Sequence, residues 1–91
     1  MLKENVKKQY EGFCHLVYAD GALNQREKEL IAFACSVMIN CKHCMEYHLD
    51  KALEVGASTD EINEAAAITM SIAAGKNRRI AQNIIATAEK K

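Results

Sequence analysis

Asn40-Cys41-Lys42-His43-Cys44-Met45-Glu46-Tyr47-His48-Leu49-Asp50-Lys51-Ala52-Leu53-Glu54-Val55-Gly56 is the stretch on which the reading of this chain turns. Cys41, Cys44, Met45, His48, Leu49, Ala52 and Leu53 recur at helical spacing and form one continuous stripe. Gly56 is placed to stop that helix as its C′ residue, and Asn40 to start it as an N-cap, which puts Cys41 in the first turn. Upstream, Asn24-Gln25-Arg26-Glu27 has the form of a capping box. The helix it opens is expected to bury Leu30, Phe33, Ala34 and Val37 and to end near Asn40. Before it, Val6, Tyr10, Phe13 and Val17 give an amphipathic helix from Leu2 to about Ala19, ended by Asp20-Gly21. After Gly56, Ser58-Thr59-Asp60-Glu61 is a second capping box. Its helix is apolar or small nearly all round, as expected of one buried inside the domain or between subunits. Gly75-Lys76-Asn77 is expected to break the chain before a last helix marked by Ile80, Ile84, Ile85 and Ala88. The fold class is all-α, a bundle of about five helices.

Composition narrows the function classes. The chain has 91 residues and reads as a single domain over residues 1–91, with no room for separate cofactor and substrate modules. Of its 45 apolar residues 14 are Ala, so neighbouring copies are expected to complete a thin core. Twelve basic residues balance twelve acidic ones, which argues against binding to nucleic acid or anionic membrane through bulk charge. Lys76, Arg78 and Arg79 form too small a cluster to change that and read as a solvated face or an inter-subunit pairing. Met1 to Asn5 carry no apolar signal region, and no apolar run reaches the ~18–20 residues of a membrane span. The expected location is the cytoplasm. Four cysteines there are expected to be redox-active, metal-binding or buried rather than permanently cross-linked.

The chemistry lies in C-x-x-C followed four residues later by His. Residues at i and i+3 of a helix are about 5–6 Å apart, within disulfide range. A helix N-terminus stabilises a thiolate through its unpaired N–H groups and partial positive charge, which favours Cys41 as the more acidic thiol. His48, four residues after Cys44 and on its face, can take or return a thiol proton. Glu29 aligns with Phe33 and Val37 at the edge of a buried face, where it is either a proton-relay carboxylate or an edge residue reaching water or a lysine. A zinc site on Cys41, Cys44 and His48 would need a fourth ligand from His43, Cys14, Cys35 or Glu29, and its thiols are poorly set for a tetrahedron. A c-type haem is excluded because Met45 follows Cys44. Cys14 and Cys35 read as small core residues. His43 reads as exposed beside the site, and His15 and Tyr18 receive no role.

Glu29-Leu30-Ile31, Asn40-Cys41-x-x-Cys44-x-x-x-His48, and Ala52-x-x-x-Gly56-Ala57-Ser58-Thr59-Asp60-Glu61-Ile62 follow in unbroken order. Over residues 23–75 the chain resembles the alkylhydroperoxidase-like (AhpD-like), carboxymuconolactone decarboxylase superfamily. It departs from the common pattern in having His43 between the cysteines and Ala73-Ala74-Gly75-Lys76 in place of a Gly-rich ending. The resemblance implies an all-helical fold assembled as homo-oligomers, trimers or hexamers. It implies a thiol-dependent hydroperoxide reductase with no bound cofactor, cycling Cys41 and Cys44 between dithiol and disulfide. By position, Cys44 would be the attacking cysteine, Cys41 its resolving partner, and Glu29 and His48 the proton relay. The helix-end argument points the other way for the two thiols, so their order stays open. The expected partners are a hydroperoxide and an external dithiol reductant or a peroxiredoxin, with no nucleic acid and no membrane. The competing functions are a decarboxylase acting on a lactone acid, which needs no dithiol, and a non-catalytic oligomeric module with a redox-sensing pair.

Overall fold

A computed structural model describes residues 3–91. Among these are four helices and no strand: α1 (Glu4–Tyr18), α2 (Gln25–Met38), α3 (Lys42–Glu54) and α4 (Thr59–Glu89). Leu2, the expected start of the first helix, lies outside the described residues. Both capping boxes form. The Asn24 side chain accepts from the Glu27 N–H at 2.8 Å, and the Glu27 carboxylate accepts from the Asn24 N–H at 2.9 Å. Ser58 and Glu61 repeat the exchange at 3.1 and 2.9 Å. Ser58→Ala should therefore cost about 1 kcal/mol of stability in a urea titration.

The five-helix expectation is corrected to four. The 31 residues of α4 run unbroken through Gly75, giving a rod of about 46 Å. One interior glycine costs only about 1 kcal/mol relative to Ala. A glycine permits a left-handed ending but does not impose one; Gly75 does not take that conformation, and the chain has no proline to force a stop. Gly56, by contrast, does stop α3, at φ 96°. Its N–H donates to the Leu53 carbonyl at 3.2 Å, and the Ala57 N–H donates to the Ala52 carbonyl at 2.9 Å.

α2 lies between α3 and α4. The small core joins Ala52, Ala57 and Ile62 to the half-buried Leu30, Phe33 and Leu49. The face that α2 buries is not the expected one. Glu29, Ala32 and Ser36 are inside, whereas Leu30, Phe33, Ala34 and Val37 are only half-buried. Small residues at 32 and 36 let two helices approach α2 at once. The Ser36 hydroxyl donates to the Ala32 carbonyl at 2.7 Å, and the buried Thr69 hydroxyl crosses from α4 to the Ala34 carbonyl at 3.3 Å. No buried side-chain polar atom among the described residues lacks a partner. Arg26 pairs with Glu61 and ties the starts of α2 and α4 together.

The Glu61 carboxyl is held below its ordinary value, chiefly by the backbone N–H of Ser58 and also by Arg26. A carboxylate with a depressed pKa contributes stability above its ordinary value of 4.5, and that contribution is lost as pH falls through the lowered one. Glu61→Gln should thus flatten the acid limb of a stability-against-pH curve measured below pH 5.

α1 forms as an amphipathic helix, but within the chain its apolar face is uncovered. Val6, Tyr10, Phe13 and Val17 are all exposed, and the helix buries none of its residues. It is held to α2 by Lys28, whose ammonium donates to the Ala19 carbonyl at 2.5 Å, and by Asp20, which accepts from the Gln25 N–H at 2.9 Å. Ile68, Met70 and Ile72 of α4 are likewise exposed, so the chain alone does not bury that helix. The chain's accessible surface is 7372 Å², about 2,100 Å² more than a compact monomer of this size presents. Its radius of gyration is 18.0 Å, against about 12 Å for a compact domain. No helix among the described residues is long and apolar enough to cross a membrane.

Candidate active site

The site begins at the α2–α3 junction. Asn40 takes a left-handed conformation, φ 56°, and ends α2. Its N–H donates to the Val37 carbonyl and the Cys41 N–H to the Ser36 carbonyl, both at 3.0 Å, the double bond pattern of a Schellman ending. Asn40 is thus not the N-cap of α3. Cys41 is, and its sulfur accepts from the Cys44 N–H at 3.2 Å. Asn serves both purposes in sequence, as a cap acceptor and as one of the few non-glycine residues that tolerate the left-handed region. Cys41 and Cys44 are joined in a disulfide with their Cα atoms 5.2 Å apart.

Glu29 and His48, nineteen residues apart, come together. Nδ1 of His48 lies 3.0 and 3.4 Å from the two carboxylate oxygens, and Glu29 is only 6% exposed. The edge reading of Glu29, reaching water or a lysine, is therefore replaced by a buried carboxylate paired with an imidazole. With Nδ1–H donated to the carboxylate, Nε2 carries the lone pair and is free to act on a proton.

A cleft of about 910 Å³ opens between α1 and α3, with α2 at its back. Glu29, Cys44 and His48 line it, as do all three tyrosines of the chain, Tyr10, Tyr18 and Tyr47. His43, exposed as expected, is also on its wall, whereas Cys41 does not line it. Cys14 lines the cleft half-buried, and Cys35 is exposed, so neither is the core residue anticipated. Cys35 is outside because α2 turns its 29–32–36 face inward.

Tyr18, left without a role in the sequence reading, stacks on His48 with ring centroids 5.6 Å apart and planes 29° apart. Tyr47 meets the same imidazole edge-on at 5.1 Å. Burial, followed by the nearby Glu29 carboxylate, pushes the Tyr18 phenol above its ordinary value. The sequence carries part of the signal, since Tyr10, Cys14 and Tyr18 are spaced by four and make a second stripe beside the apolar one, but the stripe does not name its partner. For the zinc alternative, no three His, Cys, Asp or Glu side chains among the described residues are placed to hold one metal ion.

Comparison with known proteins places the chain in a family. Residues 4–87 match the family described as the carboxymuconolactone decarboxylase family. A crystal structure of a protein from Methanobacterium thermoautotrophicum superposes with a TM-score of 0.81 at 37% identity, covering 91% of this chain and 95% of that one. A Thermotoga maritima member of the carboxymuconolactone decarboxylase family, for which involvement in an antioxidative response has been suggested, gives 0.70 at 32% identity over 86% and 84% of the two chains. The protein called uncharacterized protein 4 in cox locus of Paracoccus denitrificans is 40% identical over 60 residues, 66% of this chain. The matched stretch spans 54% of that relative's length. With nearly the whole chain matched and the fold shared with solved relatives, the chain belongs to the carboxymuconolactone decarboxylase family.

Proposed function

We propose that the protein is a thiol-dependent hydroperoxide reductase in which Cys41 and Cys44 cycle between dithiol and disulfide. The observation that carries this reading is that Cys44, disulfide partner of Cys41, lines one cleft with the Glu29–His48 pair. The reduced Cys44 thiol gives its proton to Nε2 of His48, and the thiolate attacks the distal oxygen of R–OOH. The O–O bond breaks, Cys44 becomes a sulfenic acid, and the leaving alkoxide takes a proton from the imidazolium and departs as R–OH. The Cys41 thiol then attacks the Cys44 sulfur, forming the disulfide and releasing water. An external dithiol or a peroxiredoxin partner supplies the two electrons and two protons that restore both thiols. A reducing compartment such as the cytoplasm suits that cycle. Cys44 facing the cleft while Cys41 does not line it supports Cys44 as the attacking thiol.

The Thermotoga maritima relative, for which a part in an antioxidative response has been suggested, supports the same reading. The family's name favours a decarboxylase, a reaction with no use for a dithiol. The test follows loss of an organic hydroperoxide, and gain of its alcohol, with dithiothreitol as reductant. Steady alcohol production at the expense of dithiothreitol is the expected result. No turnover of peroxide, together with carbon dioxide release from a lactone acid, would replace this reading by the decarboxylase one.

The proposal extends to assembly. Val6, Phe13 and Leu16 of α1 and Ile80, Ile84 and Ile85 of α4 are exposed. The surplus of about 2,100 Å² exceeds the ~800 Å² per partner of one ordinary interface, leaving area for two contacts per subunit, as in a trimer or hexamer. Sedimentation at micromolar concentration should show such an assembly, and a stable monomer would contradict it.

A further inference from the structure

We infer that Tyr18 is a positioning residue for His48, its ring stacked on the imidazole so that Nδ1 stays on Glu29 and Nε2 stays free for the thiol. This rests on reading His48 as the proton acceptor. A histidine ring turns easily about its last side-chain bond, because that torsion is broad and roughly two-fold. The contact of Nδ1 with Glu29 at 3.0 Å sets that torsion only while this one bond lasts, and when it breaks the ring can flip and turn Nδ1 away. Tyr18 stacked at 29° covers one face, and Tyr47 at 88° brings its edge against the same ring. Together they pack the ring in the plane in which that hydrogen bond forms and resist its flip.

The three contacts come from three helices, Tyr18 on α1, Glu29 on α2 and Tyr47 on α3. Tyr18 ends the helix that is otherwise most loosely attached, since α1 buries none of its residues. Its phenol is pushed upward by burial and by Glu29, so it remains neutral and adds no second negative charge beside that carboxylate. The titratable groups that share the cleft with the imidazole include Tyr18, Glu29, Tyr47, Lys51 and, once reduced, Cys44. The ring of Tyr18 is the part that acts, because the stacking needs no hydroxyl.

The experiment compares Tyr18→Phe and Tyr18→Leu with wild type by the ¹⁵N shifts of the two His48 ring nitrogens, in both redox states, and by hydroperoxide turnover. Tyr18→Phe should keep the wild-type nitrogen shifts and a rate within about twofold. Tyr18→Leu should move the two shifts toward each other, as tautomers mix, and lower kcat about tenfold with KM little changed. Unchanged nitrogen shifts in Tyr18→Leu would overturn the proposal, as would Tyr18→Phe behaving like Tyr18→Leu. Should Tyr18→Leu not fold, the wild type decides. Cross-relaxation between the Tyr18 and His48 ring protons in both redox states is expected, and its absence refutes the stacking role. If wild type turns over no peroxide, the functional reading fails while the nitrogen shifts still judge the positioning.

Discussion

Cys44→Ser is expected to lose all hydroperoxide turnover, whereas Cys41→Ser consumes one equivalent of peroxide per subunit without added reductant and then stops. A serine hydroxyl is not ionised near neutral pH and cannot form a sulfenic acid, so removing the attacking sulfur removes the reaction. Removing the resolving sulfur leaves the first step intact and strands Cys44 as a sulfenic acid, which dimedone traps. Cys44 lines the cleft and Cys41 does not, which is why the two variants should differ. The opposing consideration is local. The Cys41 sulfur is the N-cap of α3 and accepts the Cys44 N–H at 3.2 Å, an interaction that favours a thiolate on Cys41. A stoichiometric burst in Cys44→Ser, with dimedone on Cys41, would exchange the two roles and leave the cycle itself standing.

The second large effect concerns the relay. His48→Gln should lower kcat by about a hundredfold, the range lost when a positioned acid–base group is removed. Glu29→Gln keeps the shape and a carbonyl acceptor for Nδ1–H, but it removes the charge that stabilises the imidazolium, and should cost about tenfold. Because the carboxylate acts through the imidazole, the double variant should be no slower than His48→Gln alone. Additive losses would mean that Glu29 serves the reaction independently of His48. Both variants need a check of folding, since Glu29 is 6% exposed and a buried acceptor left without its donor costs about 1–3 kcal/mol.

How far the sequence could be read depended on the range of the interaction. The Asn24–Glu27 and Ser58–Glu61 boxes were legible because each closes over three residues. The Cys41/Cys44 pairing distance and the His48 spacing were legible for the same reason, since one helix turn sets them. Gly75 misled because a glycine permits an ending but does not make one. Asn40 misled because α2's ending and α3's beginning compete for one residue, and only the bonds from Asn40 and Cys41 back to Val37 and Ser36 decide it. The inward face of α2 could not be read from hydropathy, because close packing against two helices selects small Ala32 and Ser36 over bulkier Leu30 and Val37. Glu29 reached its partner across nineteen residues and Tyr18 across thirty, and no local pattern encodes such meetings.

A single turnover tests the Cys41–Cys44 cycle without a reductant to obscure it. Fully reduced protein receives one equivalent of an organic hydroperoxide with no reductant present, and alcohol and peptide masses are measured together. One alcohol is expected for each Cys41–Cys44 disulfide formed. Peroxide that survives, or alcohol that appears while both thiols remain reduced, would contradict it.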